Sequence, residues 1–170
     1  MKKILIKIIV YVFFFLGGVL FFYLFNTITT KSNIDKIYSI LPEIYFFKPI
    51  NTNTESLFLK RHYSTVIIHF RPDCEYCQYE ARAIRDSLHR FAATNVLLVS
   101  DEPIERLQDF AAEYDLANQP NIHILYDRDR KFKDLFGTSM VPSIFIYNQE
   151  QKLVKQFKGE TKIEAILKYL

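Results

Sequence analysis

The stretch Val66-Ile67-Ile68-His69-Phe70-Arg71-Pro72-Asp73-Cys74-Glu75-Tyr76-Cys77 decides the fold. Its first five residues are β-branched or aromatic apart from His69, a run suited to a strand covered on both faces. Pro72 ends that run because proline has no N–H to give a ladder. Asp73 then stands where a helix N-terminus favours an acid. Beyond it, Ala81, Ile84, Leu88 and Phe91 recur at spacings of three and four, the stripe of a half-buried helix. A buried strand therefore delivers two cysteines to the start of a helix.

The same alternation continues toward the C-terminus. Strands are expected over 95–100, 122–126, 143–147 and 152–158, the last two joined as a hairpin through Asn148-Gln149-Glu150-Gln151. Pro103 opens a helix whose apolar face is Ile104, Leu107, Phe110, Ala111 and Tyr114. A short charged helix over 129–136 ends at Gly137, and a last helix carries Ile163, Ile166, Leu167 and Leu170 on one side. Upstream, 43–47 and 56–60 are expected as short strands around the turn-forming Asn51-Thr52-Asn53-Thr54. The order predicts an α/β sandwich with a mixed central sheet over residues 41–170.

The N-terminus is different in kind. Ile8 to Thr30 carries no charge and is mostly Phe, Ile, Leu and Val, with Gly17-Gly18 inside it. About 20 such residues span a bilayer core as a helix. Residues 8–28 are expected as an uncleaved signal anchor, 1–7 as a cytoplasmic tail and 29–40 as a tether. A cleaved signal peptide fits less well, because no small-x-small pattern follows the run. Lys2, Lys3 and Lys7 favour the cytoplasmic side, which puts 41–170 outside the cytoplasm. In a bacterium that is a single-pass inner-membrane protein with a periplasmic or extracytoplasmic domain, where a dithiol can cycle with its disulfide.

The whole chain has 170 residues, a net charge of +3 and only two cysteines. That charge is too small, and too interleaved with acids (Asp127-Arg128-Asp129-Arg130), to argue for a nucleic-acid partner. Two cysteines exclude a multi-disulfide scaffold and a four-thiolate zinc site. His62, His69, His89 and His123 show no ligand spacing, so no metal is expected.

The chemistry lies at Cys74 and Cys77. At a helix N-terminus the dipole and the free N–H groups stabilise a thiolate. Cys74, nearer the end, is the expected attacking sulfur, and Cys77, one turn further in, the resolving one. Asp73 and Glu75 would disfavour the Cys74 thiolate, and Arg71 would act in the opposite sense. Asp73 and Glu75 are also read simply as solvent-facing complements to the helix end. His69 is expected as a satisfied core histidine, and Tyr45-Phe46-Phe47 as strand core.

Far downstream, Ser139-Met140-Val141-Pro142-Ser143-Ile144-Phe145-Ile146-Tyr147 puts a proline just before a buried strand. Strand-Phe-x-Pro-x-Cys-x-x-Cys-helix followed by this segment resembles the thioredoxin superfamily. The resemblance implies a three-layer thioredoxin-like sandwich, with Pro142 as the cis proline facing the cysteines and Val141-Pro142 binding substrate backbone. The longer gap between Cys77 and Pro142, with the anchor, resembles the TlpA/ResA-like membrane-anchored thiol-disulfide oxidoreductases. Two positions depart from the family: Asp73 replaces the common Trp, and Ile68 replaces the buried acid of thioredoxins. Ile68 cannot relay a proton to Cys77, so another base is needed, with Glu80 or water as candidates.

The resemblance implies a reductant of protein disulfides needing no bound cofactor. Its electrons come from an upstream dithiol donor, and its substrates are extracytoplasmic protein thiols or disulfides, in cytochrome c maturation or thiol repair. An oxidant is the same chemistry run in reverse. Two other readings compete: a peroxiredoxin-like peroxidase, and a binding or assembly module with a static disulfide. The peroxidase needs Thr or Ser three residues before its reactive cysteine, where Cys74 has Arg71.

Overall fold

The computed structural model describes residues 7, 11, 13–24, 39–42, 44, 47–50, 59, 60 and 62–170. The chain divides into two compact units, 1–36 and 37–170. In the first, residues 13–24 form a helix, α1, whose described side chains are exposed, Phe13, Phe14 and Phe15 among them. Among the described residues no helix is long and apolar enough to cross a membrane. The span expected at 8–28 lies partly outside them.

The second unit is a six-stranded mixed sheet in the order β1-β4-β3-β2-β5-β6. These strands are Lys48–Pro49 (β1), Ser64–His69 (β2), Thr94–Ser100 (β3), Ile122–Tyr126 (β4), Ser143–Tyr147 (β5) and Leu153–Lys158 (β6). The central trio β2, β3 and β4 runs parallel, while β1, β5 and β6 add antiparallel edges. Parallel neighbours need crossovers, which the helices supply. Those helices are Glu75–Asp86 (α2), Ile104–Glu113 (α3), Phe132–Phe136 (α4) and Ile163–Leu167 (α5).

Every residue of β2 and β3 is buried, as expected of strands covered on both faces. The alternation of side chains then sorts two cores. Val66, Ile68, Val96, Leu98, Ile122, Ile124, Ile144 and Ile146 share one core with Ala81 and Ile84 of α2, Leu107 and Phe110 of α3, and Ile163 and Ile166 of α5. On the other face Phe132 and Phe136 of α4 stack at 4.4 Å between centroids, and Phe136 meets Phe145 at 4.8 Å. Phe47 sits 6.3 Å from Phe132 and is fully buried. The layers are thus helices, sheet and one short helix.

Several elements differ locally from the sequence expectation. The apolar stripe of α2 does not run unbroken to Phe91. The helix ends at Ser87, and Leu88–Phe91 continues as a 3-10 turn. Helix α4 begins at Phe132, not at 129, because the buried Asp127 carboxylate accepts the N–H groups of Lys131 and Phe132, both at 2.8 Å. Gly137 closes α4 with φ 66°, a left-handed conformation that favours glycine. At the edge, the strand is Lys48–Pro49, just past the expected 43–47, of which 43, 45 and 46 lie outside the described residues. Of 56–60 only 59 and 60 are described, and neither is in a strand. Ile104 and Leu170 remain exposed, although they continue apolar helix faces.

Candidate active site

Strand β2 delivers the chain through Phe70 and Arg71 to Cys74, which is the N-cap of α2. Its sulfur accepts the Cys77 N–H at 3.4 Å, satisfying one of the orphan donors of the first turn. The sequence pattern puts Asp73 at that helix end. Instead, its carboxylate turns back onto the Arg71 guanidinium, with Nε–Oδ1 and Nη2–Oδ2 both 3.1 Å. This fork holds the Asp73 carboxyl below its ordinary range. Arg71 also reaches Glu102 at 3.1 Å, and Arg106 of α3 closes on the same carboxylate. The cysteine loop is thereby tied to the loop before α3. Glu75 lies exposed in the first turn of α2.

Both cysteines are free thiols, Cys74 half-buried and Cys77 buried. Burial, and after it the hydrogen bond with Cys74, pushes the Cys77 thiol well above its ordinary value. One turn further along α2, Glu80 is 2% exposed. Its carboxyl is pushed up to about 8, chiefly by burial and also by the Glu160 charge, against a hydrogen bond from Thr161 N–H that favours ionisation. That N–H donates to Oε1 at 3.1 Å, while Oε2 has no hydrogen-bond partner among the described residues. Glu80 also acts electrostatically on Cys77. A buried acid is therefore present near the cysteines, on the helix and not on β2 where Ile68 stands.

The Val141–Pro142 bond is cis. Antiparallel pairing of β5 with β2 sets Ser143 opposite His69, so Pro142 enters the sheet at the end where β2 delivers the cysteine loop. His69 lies on the opposite sheet face from α2. Its ring stacks on Phe132 at 4.1 Å and its Nδ1 lies 3.3 Å from the Met140 carbonyl. Burial holds its pKa below the ordinary value. It is the core histidine the sequence suggested, and it also supports the loop before Pro142. Arg71 and Val141 line one cleft with Asp101, Arg130 and Lys133. Tyr76 and Met140 are more than half exposed near the sulfurs' end of the sheet. Among the described residues no three His, Cys, Asp or Glu side chains converge as a metal site.

Sequence reasoning placed Cys74, Cys77, Val141 and Pro142 at one end of the fold. It did not find the Glu102–Arg106 tie or the contact of Thr161 with Glu80. The latter joins residues 81 apart, and no local pattern signals it.

Among curated proteins none matches the chain. The solved structures it resembles include a secreted Mycobacterium tuberculosis disulfide oxidoreductase homologous to E. coli DsbE. That protein is 17% identical over 60% of this chain and 73% of its own, with a TM-score of 0.52. StoA from Bacillus subtilis is 14% identical over 75% of this chain and 98% of its own, with a TM-score of 0.57. The bacterioferritin comigratory protein of Xanthomonas campestris, whose structure addresses alkyl peroxide reduction, is 18% identical over 64% and 78%, with a TM-score of 0.52. At these identities the likeness shows a shared thioredoxin-like fold. The family model that matches, over residues 48–156, covers both cysteines, Glu80 and the Val141–Pro142 bond, and it is that of the AhpC/TSA family, to which this chain belongs.

Proposed function

We propose that this chain is a membrane-tethered, extracytoplasmic thiol-disulfide oxidoreductase of the TlpA/ResA-like kind, working as a reductant of protein disulfides. The observation that carries the reading is the ordering of three groups along α2: a half-buried Cys74 at the cap, a buried Cys77, and a buried Glu80 with one oxygen unpartnered among the described residues. The Cys74 thiolate attacks one sulfur of a substrate disulfide. A Cys74–substrate disulfide forms, and the other substrate sulfur leaves as a thiolate and takes a proton from water. Cys77 then gives its proton to Glu80 and attacks Cys74. The Cys74–Cys77 disulfide forms, and the substrate sulfur held on Cys74 leaves as a thiolate that takes a proton from water, so the substrate is reduced and the enzyme oxidised. A carboxyl near 8 is a better acceptor for this thiol proton than an ordinary one, because the two affinities are closer. Val141 and Pro142 present the substrate backbone. An upstream dithiol returns the electrons, and no bound cofactor takes part.

The test is trapping. Cys77→Ser leaves an attacking sulfur that cannot be released, so mixed disulfides with extracytoplasmic proteins accumulate as bands that collapse on reduction. Cys74→Ser traps few. The reverse pattern would exchange the two roles, and trapping by neither variant would refute disulfide exchange. The direction is read from the equilibrium potential against glutathione. A value near about −120 mV, that of the strong oxidant DsbA, would sink the reductant reading.

Membership of the AhpC/TSA family, and the likeness to a protein studied for alkyl peroxide reduction, favour peroxidase activity as the second reading. Arg71, three residues before Cys74, is engaged with Asp73 and Glu102. Peroxide consumption by Cys77→Ser at the wild-type thiol stoichiometry would favour the peroxidase.

A further inference from the structure

The segment that follows β6 touches the site twice. Gly159 N–H donates to the Pro142 carbonyl at 2.8 Å, and two residues on, Thr161 N–H donates to Glu80 Oε1 at 3.1 Å. The turn between these amides is closed on itself, because Thr161 Oγ1 donates to the Gly159 carbonyl at 3.1 Å. Gly159 has φ 83°, where an L side chain is strained. Thr161 is buried, and helix α5 starts directly after Lys162. Three residues thus hold the substrate-presenting proline and the buried acid in one frame, although the two lie on different elements.

We propose that the Gly159–Thr161 turn is the positioning element of this site, with Thr161 N–H fixing the Glu80 carboxylate toward Cys77 while Gly159 N–H fixes Pro142. The inference rests on the thiol-exchange reading above. Its structural core, the bond between Thr161 and Glu80, is tested without any exchange taking place. The Thr161 amide is the one hydrogen-bond donor to the Glu80 carboxyl among the described residues. The charged and titratable groups facing Glu80 are Cys77 on its own helix, a neutral thiol over the range where Glu80 titrates, and Glu160 on the turn, whose charge opposes its ionisation. The amide is therefore what favours the proton-accepting form. A hydrogen bond to a charged group is strong enough to shift such a titration by about one pH unit.

The experiment is an NMR titration of the ¹⁵N-labelled, reduced full chain between pH 6 and 10. The Thr161 amide proton is expected to move downfield with a midpoint near 8, following Glu80. In Glu80→Gln that inflection is expected to vanish. A Thr161 amide with no inflection, or one that persists in Glu80→Gln, overturns the proposal. Thr161→Pro removes the N–H. In that variant the rate of thiol release from a preformed mixed disulfide is expected to rise with pH about one unit later than in wild type. A wild-type midpoint in folded Thr161→Pro also overturns it. If that variant fails to fold, the amide titration decides alone.

Discussion

Glu80→Gln gives the most direct measure of what burying the acid costs. An acid whose folded value lies near 8 against an ordinary 4.5 keeps its proton in the native state over a range where the unfolded chain has lost it. The native state then binds one more proton than the unfolded one, so stability falls as pH rises. The slope is about 1.4 kcal/mol per pH unit between the two values. Over that interval the loss reaches at most about 5 kcal/mol, a large part of the stability of a small domain. Below 4.5 the cost is absent, and above 8 it is constant. Glutamine keeps an oxygen for Thr161 N–H and cannot ionise, so the variant lacks this slope. At pH 5 its amide and the neutral acid each leave a polar group unpaired at the Oε2 position, so the two proteins should agree within about 1 kcal/mol. Guanidinium unfolding of the reduced full chain at intervals from pH 5 to 8 reads the difference. The wild type should lose stability steadily relative to the variant as pH rises, the histidine contributions being common to both, leaving Glu80→Gln the more stable protein at pH 8. Parallel curves would show that Glu80 ionises normally in the fold.

Other outcomes follow from the aromatic face and the caps. Asp127→Ala leaves the Lys131 and Phe132 amides without their acceptor and should lower stability by about 1–3 kcal/mol, while Asp129→Ala, at an exposed site, should change little in the same denaturation assay. Phe132→Ala removes a buried ring packed against His69, Phe136 and Phe145, and should cost about 3–5 kcal/mol by the same measure. Imidazole proton titration should place His69 below 6.5, because burial disfavours its charged form. The unfolded chain then takes the proton first, so His69 makes the fold lose stability as pH falls below 6.5. A His69 midpoint above 6.5 would contradict its buried, stacked placement.

Much of this protein was determined by the sequence alone, because the signals are local. The runs around Val66, Val96, Ile122 and Ile144 are β-branched and continuous, and each forms a strand within one or two residues of the expected bounds. The cysteine pair lies at a helix start because a strand, a proline and a periodic apolar face meet there. The Val141–Pro142 position followed from a resemblance in motif order, which the local pattern could not have supplied. The tertiary structure decided which partner each polar side chain takes and what becomes buried, neither of which a periodic pattern signals. It made Asp73 a partner of Arg71 and not a helix cap, since a guanidinium fork two residues back competes for the same carboxylate. It broke the α2 stripe at Ser87, and it let Asp127 set where α4 starts. Above all it buried Glu80 beneath a turn 81 residues away. A glutamate on an amphipathic helix is ordinarily a solvated charge, and only the packing of α5 against α2 removes water from this one. Desolvation belongs to the assembled fold, so the identity of the acid near Cys77 was open until the elements were placed together.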